Sequence, residues 1–140
     1  MAAGPSLQEP ACDRRALGER LRGLRQLRAA EGRPVRVAVI GVGKFGSMYL
    51  SQAPRTPGVH VVAVADLSPD RARASLARVD WDASRFAATS LAQAAKEGST
   101  FVNDDAARVI ASDLVDIVID ATGSPAAGIA HALLCCEHRK

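Results

Sequence analysis

Apolar residues in this chain fall into short dense runs, separated by stretches with helical spacing. Val35-Arg-Val-Ala-Val-Ile40 and Val59-His-Val-Val-Ala-Val-Ala65 are rich in β-branched side chains and too short for buried helices, so they predict strands. Thr100-Phe-Val102 and Leu114-Val-Asp-Ile-Val-Ile119 predict a third and a fourth. Helical segments lie between and after them: Ser47 to Ala53, Ser68 to about Val79, a short piece across Leu91 to Lys96, Asp104 or Asp105 to about Ala111, and Pro125 to about Glu137. Ser68-Pro69-Asp70 joins an N-cap, a proline at the first helical position and an acid in the first turn. Pro54 and Pro57 close the helix before them. Residues 80–99 are the least legible, with Trp81 and Phe86 marking a packed excursion. Strands that alternate with helices predict a parallel sheet with right-handed crossovers. The fold class expected is α/β, a Rossmann-type doubly wound parallel sheet that is incomplete at its C-terminus.

Ahead of the first strand the period changes. Leu17, Leu21, Leu24 and Leu27 recur at spacings of four and three among arginines, from Asp13 to about Ala30. Gly32 and Pro34 then stop the helix. One apolar stripe on an Arg-rich helix predicts an amphipathic element docked on the body or on a partner. A transit peptide or a membrane-surface helix fits less well, because Asp13, Glu19 and Glu31 lie within it. Gly4, Pro5 and Pro10 make residues 1–12 a flexible tail. The expected division is 1–12 tail, 13–33 N-terminal helix and 34–140 NAD(P)-binding domain, truncated before a catalytic domain.

Composition narrows the class. At 140 residues the chain holds one domain, and 48% hydrophobic against 24% charged residues excludes global disorder. The net charge of +3 sits in one place: residues 1–34 carry seven Arg against four acids, while residues 35–140 carry eleven of each sign. A neutral body lacks the clustered basic face that phosphate neutralisation needs, so no nucleic-acid partner is expected. No apolar run reaches the roughly 18 residues that span a bilayer, and no secretory core is present. No membrane partner is expected, and the cytoplasm is the default location. Cys12, Cys135 and Cys136 are too few for a disulfide framework, and with His60, His131 and His138 they complete no zinc pattern. No metal site is expected.

Chemistry enters between the first two strands. Glycines stand at 41, 43 and 46, and Asp66 ends the second strand twenty residues past Gly46. Strand, Gly-x-Gly-x-x-Gly, helix, strand, acid is the fingerprint of a dinucleotide-binding βαβ unit. Gly41 permits the sharp turn off the strand, Gly43 lets backbone approach a pyrophosphate, and Gly46 allows close helix packing. The next N–H groups, those of Lys44 and Phe45, face the phosphates with the helix dipole behind them. The Lys44 ammonium is either a solvated loop cation or a phosphate contact. Asp66 is placed to accept the adenosine ribose hydroxyls, followed by Leu67, which supplies no cation. That acid favours NAD; NADP stays open through Arg71 and Arg73. At the end of the fourth strand Ala121, Thr122 and Gly123 are expected to line the cofactor, and Asp120 to fix the local turn. His60 falls inside a strand, and His131 and His138 on the last helix, so no catalytic residue is assigned.

Three segments carry a family likeness: Val39-Ile-Gly-Val-Gly-Lys-Phe-Gly-Ser-Met48, Gly58-Val-His-Val-Val-Ala-Val-Ala-Asp-Leu-Ser-Pro69 and Val118-Ile-Asp-Ala-Thr-Gly-Ser-Pro-Ala-Ala-Gly128. Across roughly residues 14–140 the chain resembles the N-terminal domain of homoserine-dehydrogenase-like oxidoreductases. Within them it is most similar to the branch with a SAF domain, which includes deoxyxylulose-phosphate-reductoisomerase-like enzymes. The resemblance implies that Gly41, Gly43, Gly46, Asp66, Thr122 and Gly123 contact NAD or NADP. It also implies that hydride passes to or from a carbonyl or alcohol substrate held by a C-terminal domain beyond the equivalent of Lys140. Two alternatives share the fold or its motifs: a non-catalytic nucleotide or redox sensor, and a methyltransferase, which the glycine spacing disfavours. A homo-oligomer stays open.

Overall fold

The computed structural model describes residues 14–140. In chain order these form α1 (Arg14–Ala30), β1 (Val35–Ile40), α2 (Lys44–Gln52), a 3-10 turn (Ala53–Arg55), β2 (Val59–Ala65) and α3 (Pro69–Arg78). A second 3-10 turn (Ala83–Phe86), α4 (Leu91–Glu97), β3 (Phe101–Asn103), α5 (Ala106–Ile110), β4 (Ile117–Asp120) and α6 (Pro125–Glu137) follow. The expected tail 1–12, with Cys12, and the helix start at Asp13 lie outside the described residues.

The four strands form one all-parallel sheet in the order β3-β2-β1-β4, so the fold is α/β. Both faces of the sheet are covered. Val37, Val39, Val61 and Val64 pack with Leu50, Ala72 and Leu76 of α2 and α3, while Ala38, Val62 and Ala63 pack with Ala94 of α4 and Val109 of α5. Burial on both sides explains why the strand runs read as continuously apolar rather than alternating. Between β1 and β2 the register slips once: Val37 pairs with Val61, but Ala38 pairs with Ala63. One extra residue in β2 is absorbed there, and Val62 and Ala63 join the same core cluster. The slip lets the two strands end level, with Ile40 beside Ala65.

Local chemistry sets the element ends, with small departures from the sequence expectation. The second helix starts at Lys44 rather than Ser47, so Gly46 is helical, and a 3-10 turn carries the chain past Pro54. Proline fits that turn because its missing N–H falls where no partner is needed. Ser68, Asp105 and Ser124 cap α3, α5 and α6, each accepting the N–H three residues on. The fourth strand is shorter than expected. Leu114 to Asp116 form a lead-in, held where Arg36 grips both Asp116 carboxylate oxygens, one of them at 2.8 Å. Residues 80–99 are anchored by Trp81, whose indole N–H donates to the Leu50 carbonyl at 2.9 Å.

The leucine stripe bears on the expectation that this helix docks on the body or on a partner. Leu21, Leu24 and Leu27 are 51%, 58% and 61% exposed, so these three do not dock on the body. The helix meets the domain at Arg25, whose carbonyl lies against Gly58 and whose side-chain Nε is buried. Leu17 is outside the described side chains. No helix of the described residues is long and apolar enough to cross a membrane.

Candidate functional site

Register gathers the site. Ile40 is level with Ala65 on one side and Asp120 on the other, and Ala65 is level with Asn103. All four strands therefore release their loops at one edge. Here the connection changes direction: from β1 the chain builds outward through β2 and β3, then returns to place β4 on β1's other side. A crevice at such a reversal is where open parallel sheets hold ligands. A cleft of about 1040 Å³ opens there, between the loop after β1, the end of β2 with α3, and the end of β4 with α6.

The loop after β1 forms the middle of the cleft. Gly41 takes φ +87°, and a β-carbon on it would meet the Thr122 backbone at 2.8 Å. The residue therefore serves two roles: a left-handed turn and close packing against the loop after β4. Gly46 lies beneath this turn, where a β-carbon would overlap the Gly41 carbonyl oxygen. Its partner is thus the turn itself rather than the strand at large. Gly43 differs, since a β-carbon there meets nothing. It is the N-cap of α2 and offers no capping side chain. The first N–H bonded back into this turn is that of Ser47, to the Gly43 carbonyl at 2.9 Å. Lys44 lines the cleft; Phe45 is 60% exposed and does not, and Gly46 is buried under the floor.

Asp66 holds one end together. Its side chain is 3% exposed. One oxygen accepts the Val42 N–H at 2.9 Å; the other accepts the Ser68 N–H at 2.9 Å and the Arg71 guanidinium at 2.7 Å. Burial pulls this carboxyl upward, but the Ser68 and Val42 N–H groups and Arg71 outweigh it and hold it below the usual aspartate range. The sequence reading missed these internal donors, because their geometry needs the folded loop. Arg71 lines the cleft and stays 64% exposed beyond its contact with Asp66. Arg78 also lines this end, donating to Ser75 at 2.9 Å. Arg73 pairs with Asp70 instead, off the cleft wall. Leu67, 94% exposed, is on the wall.

The opposite end is built at β4. Asp120 fixes its turn: one carboxylate oxygen accepts the Thr122 N–H at 3.0 Å and the Thr122 hydroxyl at 2.7 Å. Ala121 and Thr122 line the cleft; Gly123, at φ +70°, turns the chain without lining it. The second Asp120 oxygen meets His131 Nδ1 at 2.5 Å. Burial again pushes the Asp120 carboxyl up, and the His131 and Thr122 donors hold it down. His131, on α6, lines the cleft with its side chain 19% exposed. This Asp–His pair is the feature of the cleft that sequence reasoning did not find. Eleven residues separate the partners, and no spacing rule links a strand-end acid to the second turn of the following helix.

Among the described residues no group of three His, Cys, Asp or Glu is placed to hold a metal. No family model matches the chain, and no curated protein matches it.

Proposed function

We propose that the chain is the cofactor-binding domain of an NAD(P)-dependent oxidoreductase of the homoserine-dehydrogenase-like kind, with a Rossmann-type sheet. The carrying observation is Gly43: it opens the first turn of a nine-residue helix, has free space above it, and stands between a buried acid with an arginine and the β4 turn. That is the cradle a pyrophosphate needs. Anionic oxygens are stabilised by backbone N–H groups at a helix start, where the helix dipole adds about 0.3–1 kcal/mol.

Most of the expected residues line the cleft, which supports this reading. Gly43 and Lys44 would meet the phosphates with backbone N–H groups, while the Gly41 N–H is spent on the Ala65 carbonyl and Phe45 lies off the cleft wall. Asp66 and Leu67 would meet the adenosine ribose, and Ala121 and Thr122, turned by Gly123, the far half. The bound nicotinamide would exchange a hydride with a carbonyl or alcohol carbon. The chain's own residues bind and orient that carrier and shield one face of it from water.

The ribose end also bears on which dinucleotide is held. Asp66 already accepts three donors, which leaves one lone-pair position on the oxygen that serves Val42. Arg71 neutralises its charge, and Arg78 adds a second cation to the same cleft wall. Asp66 alone favours NAD; this arrangement favours acceptance of the 2′-phosphate of NADP. Titration of the 140-residue chain with NADPH and NADH, followed by cofactor fluorescence, tests both levels. Saturable binding is expected, with Arg71→Ala weakening NADPH more than NADH. Absence of binding at about 1 mM by folded protein would overturn the reading.

A further inference from the structure

We propose that His131 and Asp120 are the proton-handling pair of the cleft, with His131 a catalytic residue and Asp120 its positioning residue. The place given to the pair rests on the dinucleotide reading above; its chemistry rests on the contacts. Asp120 is a carboxylate with both oxygens occupied, so the His131 nitrogen that faces it, Nδ1, must carry the hydrogen. In neutral imidazole this leaves Nε2 as the basic atom. No described residue bonds Nε2, and the ring lies on the cleft wall. A carboxylate behind Nδ1 fixes the tautomer and steadies the imidazolium when Nε2 takes up a proton.

The sheet order gives the ring its station. Asp66 follows β2, the glycine turn follows β1, and Asp120 ends β4, in that spatial order. Neighbouring strands lie about 4.8 Å apart, so the two ends of the site are about 10 Å apart across the phosphate position. A dinucleotide with its adenosine ribose at Asp66 must send its other half over Thr122 toward His131. Around the ring, Asp120 approaches from β4, Asp104 lines the same cleft from the end of β3, and Cys135 stands one turn along α6. Lys140 is held away by the Ser112 and Val115 carbonyls at 2.8 Å each.

In the reducing direction, Nε2 of the imidazolium passes its proton to a substrate carbonyl oxygen while the carbonyl carbon accepts the hydride of a reduced nicotinamide dinucleotide. The π bond gives way to new C–H and O–H bonds. The carbonyl is reduced to an alcohol, the dinucleotide is oxidised, and the neutral imidazole recovers a proton from water. Oxidation of an alcohol runs the same steps backwards, with Nε2 as the base.

The test acylates the histidines of the intact chain with diethyl pyrocarbonate and follows each by mass spectrometry. NADP+ is expected to slow acylation of His131 by about tenfold at about ten times its dissociation constant, the factor by which free sites fall. Adenosine 2′,5′-bisphosphate, which fills only the Asp66 end, should leave the rate unchanged, and exposed His138 should ignore both. NADP+ that binds by calorimetry without protecting His131 overturns the placement. NADP+ that does not bind overturns the dinucleotide reading and the placement with it, while the next arm still decides the pair. Asp120→Asn keeps an oxygen for Thr122 but turns an N–H₂ toward Nδ1, driving the hydrogen to Nε2. Acylation of His131 should then fall by at least about tenfold, because an Nε2 that carries the hydrogen has no free lone pair to react. A rate that is unchanged or higher, from a ring merely set free, overturns the pair. If Asp120→Asn does not fold, nitrogen-15 NMR of the wild-type ring decides instead: an Nδ1–H neutral tautomer supports the pair, and an Nε2–H tautomer overturns it.

Discussion

The three glycines of the turn look alike in the sequence but should respond differently to a single added methyl. Gly41→Ala meets both a left-handed backbone, which costs about 1–2 kcal/mol for an L side chain, and the Thr122 backbone. Gly46→Ala drives a β-carbon into the Gly41 carbonyl, an overpacking that costs about 2–3 kcal/mol because backbone, not a flexible side chain, must yield. Gly43→Ala has room and an ordinary φ of −70°, so its stability should change by less than about 1 kcal/mol while dinucleotide binding falls sharply. Urea midpoints and cofactor titrations on the three variants read this out. Equal destabilisation by all three would contradict the cradle. Asp66 makes a second prediction at this scale. Its folded carboxyl lies below the usual range, so its contribution is present above the unfolded pKa of about 3.9 and is lost as pH falls from there through the folded value. Asp66→Asn should lower stability near neutral pH by about 1–3 kcal/mol, since its one remaining oxygen leaves the Val42 or the Ser68 N–H unpaired, and should flatten the acid limb of the stability curve. An unchanged limb would show that other carboxylates govern acid unfolding.

Elements were legible where their ends carry their own chemistry. Ser68, Asp105 and Ser124 announce α3, α5 and α6 because a capping side chain acts within three residues of itself. The start of α2 was not legible, since glycine caps it without a side-chain signal and the helix rests on the turn above. β4 was read too long because Leu114 to Asp116 are apolar enough for a strand, yet Asp116 is drawn to Arg36 on β1. The leucine stripe of α1 had a true helical period, but period alone does not say what covers it. Exposed as it is, α1 has little tertiary packing to hold it, and isolated helices of this length are marginal. Hydrogen exchange should find α1 amides exchanging about a hundredfold or more faster than those of β1, which is bonded on both sides. Comparable protection would mean that the stripe is covered in solution.

At the scale of the whole molecule, the glycine turn, Asp66 and the β4 turn come from segments up to about eighty residues apart, and parallel pairing sets them on one edge. The alternation of apolar runs with helical segments was enough for a parallel α/β fold, because parallel strands need crossovers and crossovers bury both faces of the sheet. The local chemistry of a turn, a cap or a strand end is likewise written in consecutive residues. Only the tertiary structure decided that Asp66 spends its oxygens on Val42, Ser68 and Arg71, that Arg71 rather than Arg73 stands at the cleft, and that Asp120 meets His131. Those pairings depend on register and on where one helix lies across the next strand end, and such distances are fixed by packing rather than by spacing along the chain.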